Sequence, residues 1–101
     1  MFGYVDCGPS AELDHGAVGE VWELYVDPAA QGRGGGSALL AAAEVWLDSV
    51  GLDRQELNVL AQNLPSQAFY EARGWLSTGT VVHVDLGVVA FDELRLRRGG
   101  S

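Results

Sequence analysis

Two stretches of the chain hold residue types and spacings that can do chemistry. The first, Gln31-Gly32-Arg33-Gly34-Gly35-Gly36-Ser37, is a glycine run carrying one arginine. Glycine permits positive φ and lets a backbone approach a ligand closely. Where such a run opens a helix, unpaired N–H groups and the positive end of the dipole suit a phosphate. Successive N–H groups then form an anion nest, and Arg33 adds charge. The second stretch runs Asn63-Leu64-Pro65-Ser66-Gln67-Ala68-Phe69-Tyr70-Glu71-Ala72-Arg73-Gly74-Trp75. Asn63 and Tyr70 are seven positions apart, close to two helical turns, so they share one side of a helix. A carboxamide offers a donor and an acceptor to an amide-bearing ligand. A phenol offers a proton to a leaving thiolate, with reference pKa values of about 10 and about 8.5. Read singly, each has a bland explanation: a loop before a capped helix, a cap at Asn63, an aromatic at a helix–sheet seam for Tyr70.

Three phosphate readings compete for the glycine run. A Walker A loop needs Gly-Lys-Ser/Thr, and the chain has no lysine. The dinucleotide fingerprint needs a third glycine where Ser37 stands, and no acidic residue closes a second strand at the right distance. The third is a pyrophosphate held by main-chain N–H groups without a metal, as for coenzyme A.

Elements must position these residues. Phe2 to Val5 reads as a short strand, and Gly8-Pro9-Ser10 starts a polar loop through His15-Gly16. Glu20 to Val26 is a β-rich run stopped by Asp27-Pro28. After the glycine loop, Leu39, Leu40, Ala43, Val45, Trp46, Leu47 and Val50 give a broad apolar helical face, ended by Gly51. Glu56 to Ala61 reads as a buried strand. A second helix starts near Pro65 or Ser66 and runs to Arg73, with Gly74 as its cap. Trp75 to Val84 and Val88 to Leu96 read as an antiparallel strand pair, and Gly99-Gly100-Ser101 as a tail. The expected class is α/β (α+β), a mixed β-sheet flanked by helices in the order β-β-α-β-α-β-β. Residues 1–101 suit one domain, with a core of little margin.

Composition narrows the partners. With 14 acids against 6 arginines the net charge is −8, which argues against nucleic acid and anionic membranes and permits a cationic acceptor. No apolar run approaches a membrane span, and no charged region with an apolar stretch opens the chain as a signal peptide would. The single Cys7 cannot form an internal disulfide, which fits a reducing cytoplasm, and no His–Asp setting marks it as a nucleophile. His15 and His83 read as surface or packing residues, with no clustering that predicts a metal site.

The stretch from Val26 to Trp75 resembles the GNAT superfamily of N-acetyltransferases. Val26-x-Pro28 followed by Gln31-x-x-Gly34-x-Gly36 is similar to that family's pyrophosphate motif, Arg/Gln-x-x-Gly-x-Gly/Ala. Asn63, then Phe69-Tyr70-Glu71-x-x-Gly74-Trp75, is similar to its second motif, which usually ends Gly-Phe. A weaker likeness extends from about Gly3 to Arg98. The resemblance implies acetyl-CoA as cosubstrate, no metal, and direct transfer to a small-molecule or peptide amine. It assigns the main chain of Leu24, Tyr25 and Val26, splayed by a bulge, to the acetyl and pantetheine part. Gln31, Gly32, Arg33, Gly34, Gly35, Gly36 and Ser37 go to the pyrophosphate, Asn63 to the pantetheine arm, and Tyr70 to the general acid. Glu20 lies eleven positions before Gln31, where some members carry their base; Glu23 is the competitor. Alternation in a regular strand puts those two on opposite faces. A second route, a glutamate five positions before the motif-two asparagine, is absent because Asn58 stands there.

The chain departs from the family at its start, where most members carry a further strand, two helices and another strand. Three expectations follow: an open N-terminal strand edge prone to pair with another chain, a less covered sheet face that favours a homodimer or strand exchange, and an acceptor site that is made between chains or does not exist. The rival function is a non-catalytic acyl-CoA-binding or interaction module. A fragment of a longer acetyltransferase is a further reading.

Overall fold

The computed structural model describes residues 3–10, 18–32 and 34–99. Phe2, the loop through His15, Arg33 and the last two residues of the expected tail lie outside them. The expected element order is found, in two compact bodies, residues 1–55 and 56–101.

In the first body β1 (Gly3–Pro9) and β2 (Val18–Val26) form an antiparallel ladder. β1 runs past the expected loop start. Gly8 is the reason: a Cβ there would lie 2.7 Å from Cη2 of Trp22, so a side-chain-free position lets the indole lie against the strand. α1 (Gly35–Ser49) packs on the opposite face of that ladder, where Cβ atoms on Gly3 and Gly19 would touch Leu39 and Leu47. Its buried stripe is Leu40, Ala43 and Leu47, at three-to-four spacing. Val45, Trp46 and Val50, expected on the same face, are exposed, so the apolar arc is wider than the buried one. Gly51 ends the helix at φ 84°, as its cap position requires. The buried Gln55 fastens the helix end: its Nε2 lies 3.2 Å from the Glu44 carbonyl, 3.2 Å from the Leu52 carbonyl and 3.0 Å from Asp48 Oδ1.

β3 (Arg54–Leu60) begins in the first body and continues into the second. There α2 (Leu64–Glu71), β4 (Trp75–Asp85) and β5 (Ala90–Arg98) follow. β5 pairs antiparallel with both β3 and β4. Val88 is not in a strand but on a turn, 96% exposed. Gly87 at φ 85° and its N–H to Asp85 Oδ1, 2.8 Å, close the chain there. The core of this body is Leu57, Val59, Leu96 and the fully buried Trp75, with Glu56 also buried, 3.9 Å from Arg95 Nε. Arg95 Nε also donates to Asn58 Oδ1 at 3.2 Å, so the asparagine at the family's alternative base position is a structural acceptor. Gly99 is tied by its N–H to the Gly74 carbonyl, 2.9 Å, rather than belonging to a loose tail. Among the described residues, no helix is long and apolar enough to cross a membrane.

Candidate functional site

The connection from β2 to α1 is built in small steps. Asp27 Oδ1 accepts from the Ala29 N–H at 3.1 Å and caps a 3-10 turn over Pro28–Ala30. Gln31 then reaches back, its Nε2 donating to the Val26 carbonyl at 3.2 Å, and fixes the loop to the strand end. Gly32 and Gly34 follow at φ 83° and 79°, with no atom within 4 Å of a Cβ built on either. α1 begins at Gly35, its N-cap Gly34 supplying no side-chain bond and its first turn no acid. A fifteen-residue helix thus starts with main-chain donors, a positive dipole end and open space, which fits an anionic ligand. Gly35, Gly36 and Ser37 are its first residues; Arg33 lies outside the described residues.

Leu24, Tyr25 and Val26 pair with Val5, Tyr4 and Gly3. The ladder has one bulge: Asp6 opposes Glu23 and the next residue, Cys7, opposes Val21, so Trp22 is the extra residue. That overturns the alternation argument for the two glutamates. Glu20 faces Gly8 and Glu23 faces Asp6, positions two apart on β1, so both glutamates lie on one face. Tyr4 and Tyr25 share it, with ring centroids 5.5 Å apart. The Tyr4 hydroxyl donates to Glu23 Oε1 at 2.8 Å, and that bond pushes the Tyr4 phenol up. Ser10 Oγ donates to Glu20 Oε1 at 3.3 Å.

In the second body Asn63 is the N-cap of α2, its Oδ1 accepting from the Ser66 N–H at 3.1 Å. Gln67 Nε2 bonds the Leu60 and Ala61 carbonyls at 3.1 and 2.9 Å, tying the first turns of α2 to the end of β3. Tyr70 sits near the other end of α2, half-buried between Phe69 and Trp75 at ring-centroid distances of 5.2 and 6.3 Å. Burial pushes its phenol above the ordinary tyrosine value, so it holds its proton at neutral pH. Arg73 covers the outer side of Phe69, its guanidinium carbon 3.8 Å from the ring centroid.

One arrangement was not legible from spacing. His83 Nδ1 lies 2.6 Å from Asp92 Oδ1 across the β4–β5 ladder, beside a cleft of about 780 Å³ that Asp85, Phe91 and Leu60 also line. Only the strand register brings these together. Among the described residues, no group of three or more His, Cys, Asp or Glu is placed to hold a metal ion.

Paired strands, a glycine start to a long helix and a half-buried tyrosine on a short one are the features to set beside known proteins. The model of the Acetyltransferase (GNAT) family matches residues 1–75. A mycothiol acetyltransferase of Beutenbergia cavernae is 44% identical over 72 residues, 71% of this chain and 24% of that protein. The ribosomal-protein-S18-alanine N-acetyltransferase of Escherichia coli superposes with TM-score 0.74 at 22% identity, covering 96% of this chain and 60% of that one. A Pyrococcus horikoshii protein gives TM-score 0.77 at 24% identity, covering 99% and 59%. The chain belongs to the GNAT acetyltransferase family, and the mixed sheet flanked by helices expected from the sequence is its fold class. It spans about a quarter of the length of the mycothiol acetyltransferase and about six tenths of the two solved chains.

Proposed function

We propose that this chain is an N-acetyltransferase domain that passes an acetyl group from acetyl-CoA directly to a primary amine in a ternary complex. The observation that carries the reading is the start of α1: two left-handed glycines with open space beside them, then a helix with no side-chain cap at its N-cap residue. The main-chain N–H groups of Gly32 and of Gly34 to Ser37 would hold the pyrophosphate, with Gln31 fixing the loop and Arg33 adding charge. The main chain of Leu24, Tyr25 and Val26 would line the acetyl and pantetheine part. Asn63 Oδ1 is used as a cap, so a contact to the pantetheine arm falls to its Nδ2.

The acceptor arrives as an ammonium and must lose a proton before it attacks, since alkylamines have pKa values near 10. Glu20 takes that proton, directly or through water. The amine nitrogen then bonds to the thioester carbonyl carbon, and a β2 N–H stabilises the negative charge on its oxygen. As the carbon–sulfur bond breaks, Tyr70 gives its proton to the sulfur, and the nitrogen, now cationic, releases its second proton through water to the Tyr70 phenolate, leaving neutral amide, free thiol and tyrosine. A phenol keeps its proton at neutral pH, so Tyr70 carries the proton it must donate when the thiolate forms. An amine of the mycothiol class is the first acceptor to assay, beside alkylamines and peptide N-termini, after the name the Beutenbergia relative carries. We place the protein in the cytoplasm and a homodimer contact on the outer edge of β1, which pairs with β2 alone among the described strands.

The test follows free thiol and the mass of the amine together. The reading expects one thiol per acetylated amine, lost in Tyr70→Phe and Glu20→Gln. Acetyl-CoA binding without thiol release for any amine favours a non-catalytic acyl-CoA module. Size-exclusion chromatography with light scattering showing a monomer at high concentration removes the dimer.

A further inference from the structure

We propose that the β1–β2 face bearing Tyr4, Trp22 and Tyr25 recognises the acceptor as a cation, binding the ammonium form of an amine with an aliphatic body. The inference rests on the acetyl-transfer reading and gives its acceptor a charge and a seat.

Three aromatic side chains stay exposed on this face: Trp22 at 51%, Tyr25 at 44% and Tyr4 at 38%. The register orders them. The Tyr4–Tyr25 pair stands at one end, the Asp6–Glu23 pair comes next, and Gly8–Glu20 closes the row with the Trp22 ring lying against Gly8. Each step is two residues, about 7 Å along the strand. Carboxylates therefore sit between two aromatic walls, and ring faces and carboxylates both attract an ammonium. Neither β1 nor β2 carries a lysine or arginine that would fill the position from within its own strand. The bulge at Trp22 makes the arrangement, since it brings Glu20 onto the face that Glu23, Tyr4 and Tyr25 occupy. An amine held here as a cation lies on the same face as Glu20, the group proposed to take its proton. Charge complementarity selects the occupant: a neutral alcohol of the same shape gains nothing from the carboxylates.

The experiment titrates the full chain with n-butylammonium and, separately, with n-butanol, following the Trp22 indole N–H and the amides of Asp6 and Glu23 by NMR. The proposal expects saturable shifts with the amine and none with the alcohol. Glu23→Gln and Asp6→Asn should each weaken the amine roughly three- to tenfold, the scale of one exposed ion pair or cation–π contact. Equal shifts with both probes, no shifts, or shifts unaffected by both variants would overturn it. So would shifts of these signals with protein concentration alone, which would mean that a second copy covers the face. Acetyl-CoA is titrated into the same samples. Amine binding without acetyl-CoA binding sinks the transfer reading and keeps the cation site; acetyl-CoA binding without amine binding does the reverse.

Discussion

Replacing Gly34 by alanine separates the cost to the fold from the cost to the ligand. Gly34 has φ 79°, and a Cβ there meets no atom within 4 Å. The folding penalty is therefore purely that of a left-handed L-residue, about 1 kcal/mol. For a chain of this size that lowers the melting temperature by about 4–8 °C. Gly51 is the matched control at the other end of α1, with φ 84° and equally open space. Gly51→Ala should cost the same about 1 kcal/mol. The two differ only in where the new methyl points. At Gly34 it enters the space where the pyrophosphate would lie and holds the phosphate off the N–H groups. A hydrogen bond to a charged group contributes about 1.5–3 kcal/mol, so losing one weakens acetyl-CoA roughly tenfold to a hundredfold. Urea unfolding gives the first quantity and calorimetric titration of acetyl-CoA the second. Matching stability losses, with affinity lost only in Gly34→Ala, is the expected result. Equal affinity loss in both variants would show that the glycine acts through helix stability, and no loss in either would refute the cradle.

The second body supplies the other predictions. Trp75 is fully buried, so Trp75→Ala should cost about 3–5 kcal/mol and abolish the cooperative melt seen by circular dichroism. Arg95→Leu removes the guanidinium 3.9 Å from the buried Glu56 carboxylate and the bond to Asn58 Oδ1, and should cost about 1–3 kcal/mol in urea unfolding. Tyr70→Phe should lower kcat about a hundredfold while leaving the acetyl-CoA affinity unchanged. Because burial raises the Tyr70 pKa in the folded state, the unfolded chain ionises first as pH rises. This contribution to stability is full below the unfolded value near 10 and lost as pH climbs through the folded one, so melting temperatures of the wild type should fall more steeply than those of Tyr70→Phe in alkaline buffer.

Much of the fold was readable because local chemistry and burial agree. Asp27-Pro28 after a β-rich run, Gly51 after an apolar helix and Gly74 before Trp75 each punctuate the chain where the structure turns. The loop and Asn63 were readable from their own requirements: glycines at positive φ, and a side-chain oxygen at a helix start. What periodicity misplaced, tertiary packing decided. Val45 and Trp46 look like core on a helical wheel, yet the buried stripe is only Leu40, Ala43 and Leu47 wide. The faces of Glu20 and Glu23 depended on a bulge at Trp22, and a bulge needs a partner strand to define it. The His83–Asp92 pair likewise exists only once β4 and β5 are in register.

In the proposed function the pyrophosphate of acetyl-CoA is held at the end of β2 and the start of α1. Titrating acetyl-CoA into the isotope-labelled chain and mapping the amide shifts tests it most directly. Saturable shifts largest at Gly32, at Gly34 to Ser37 and at Leu24 to Val26 are the expected result. Shifts absent from the glycines, or confined to the cleft beside His83 and Asp92, would contradict it.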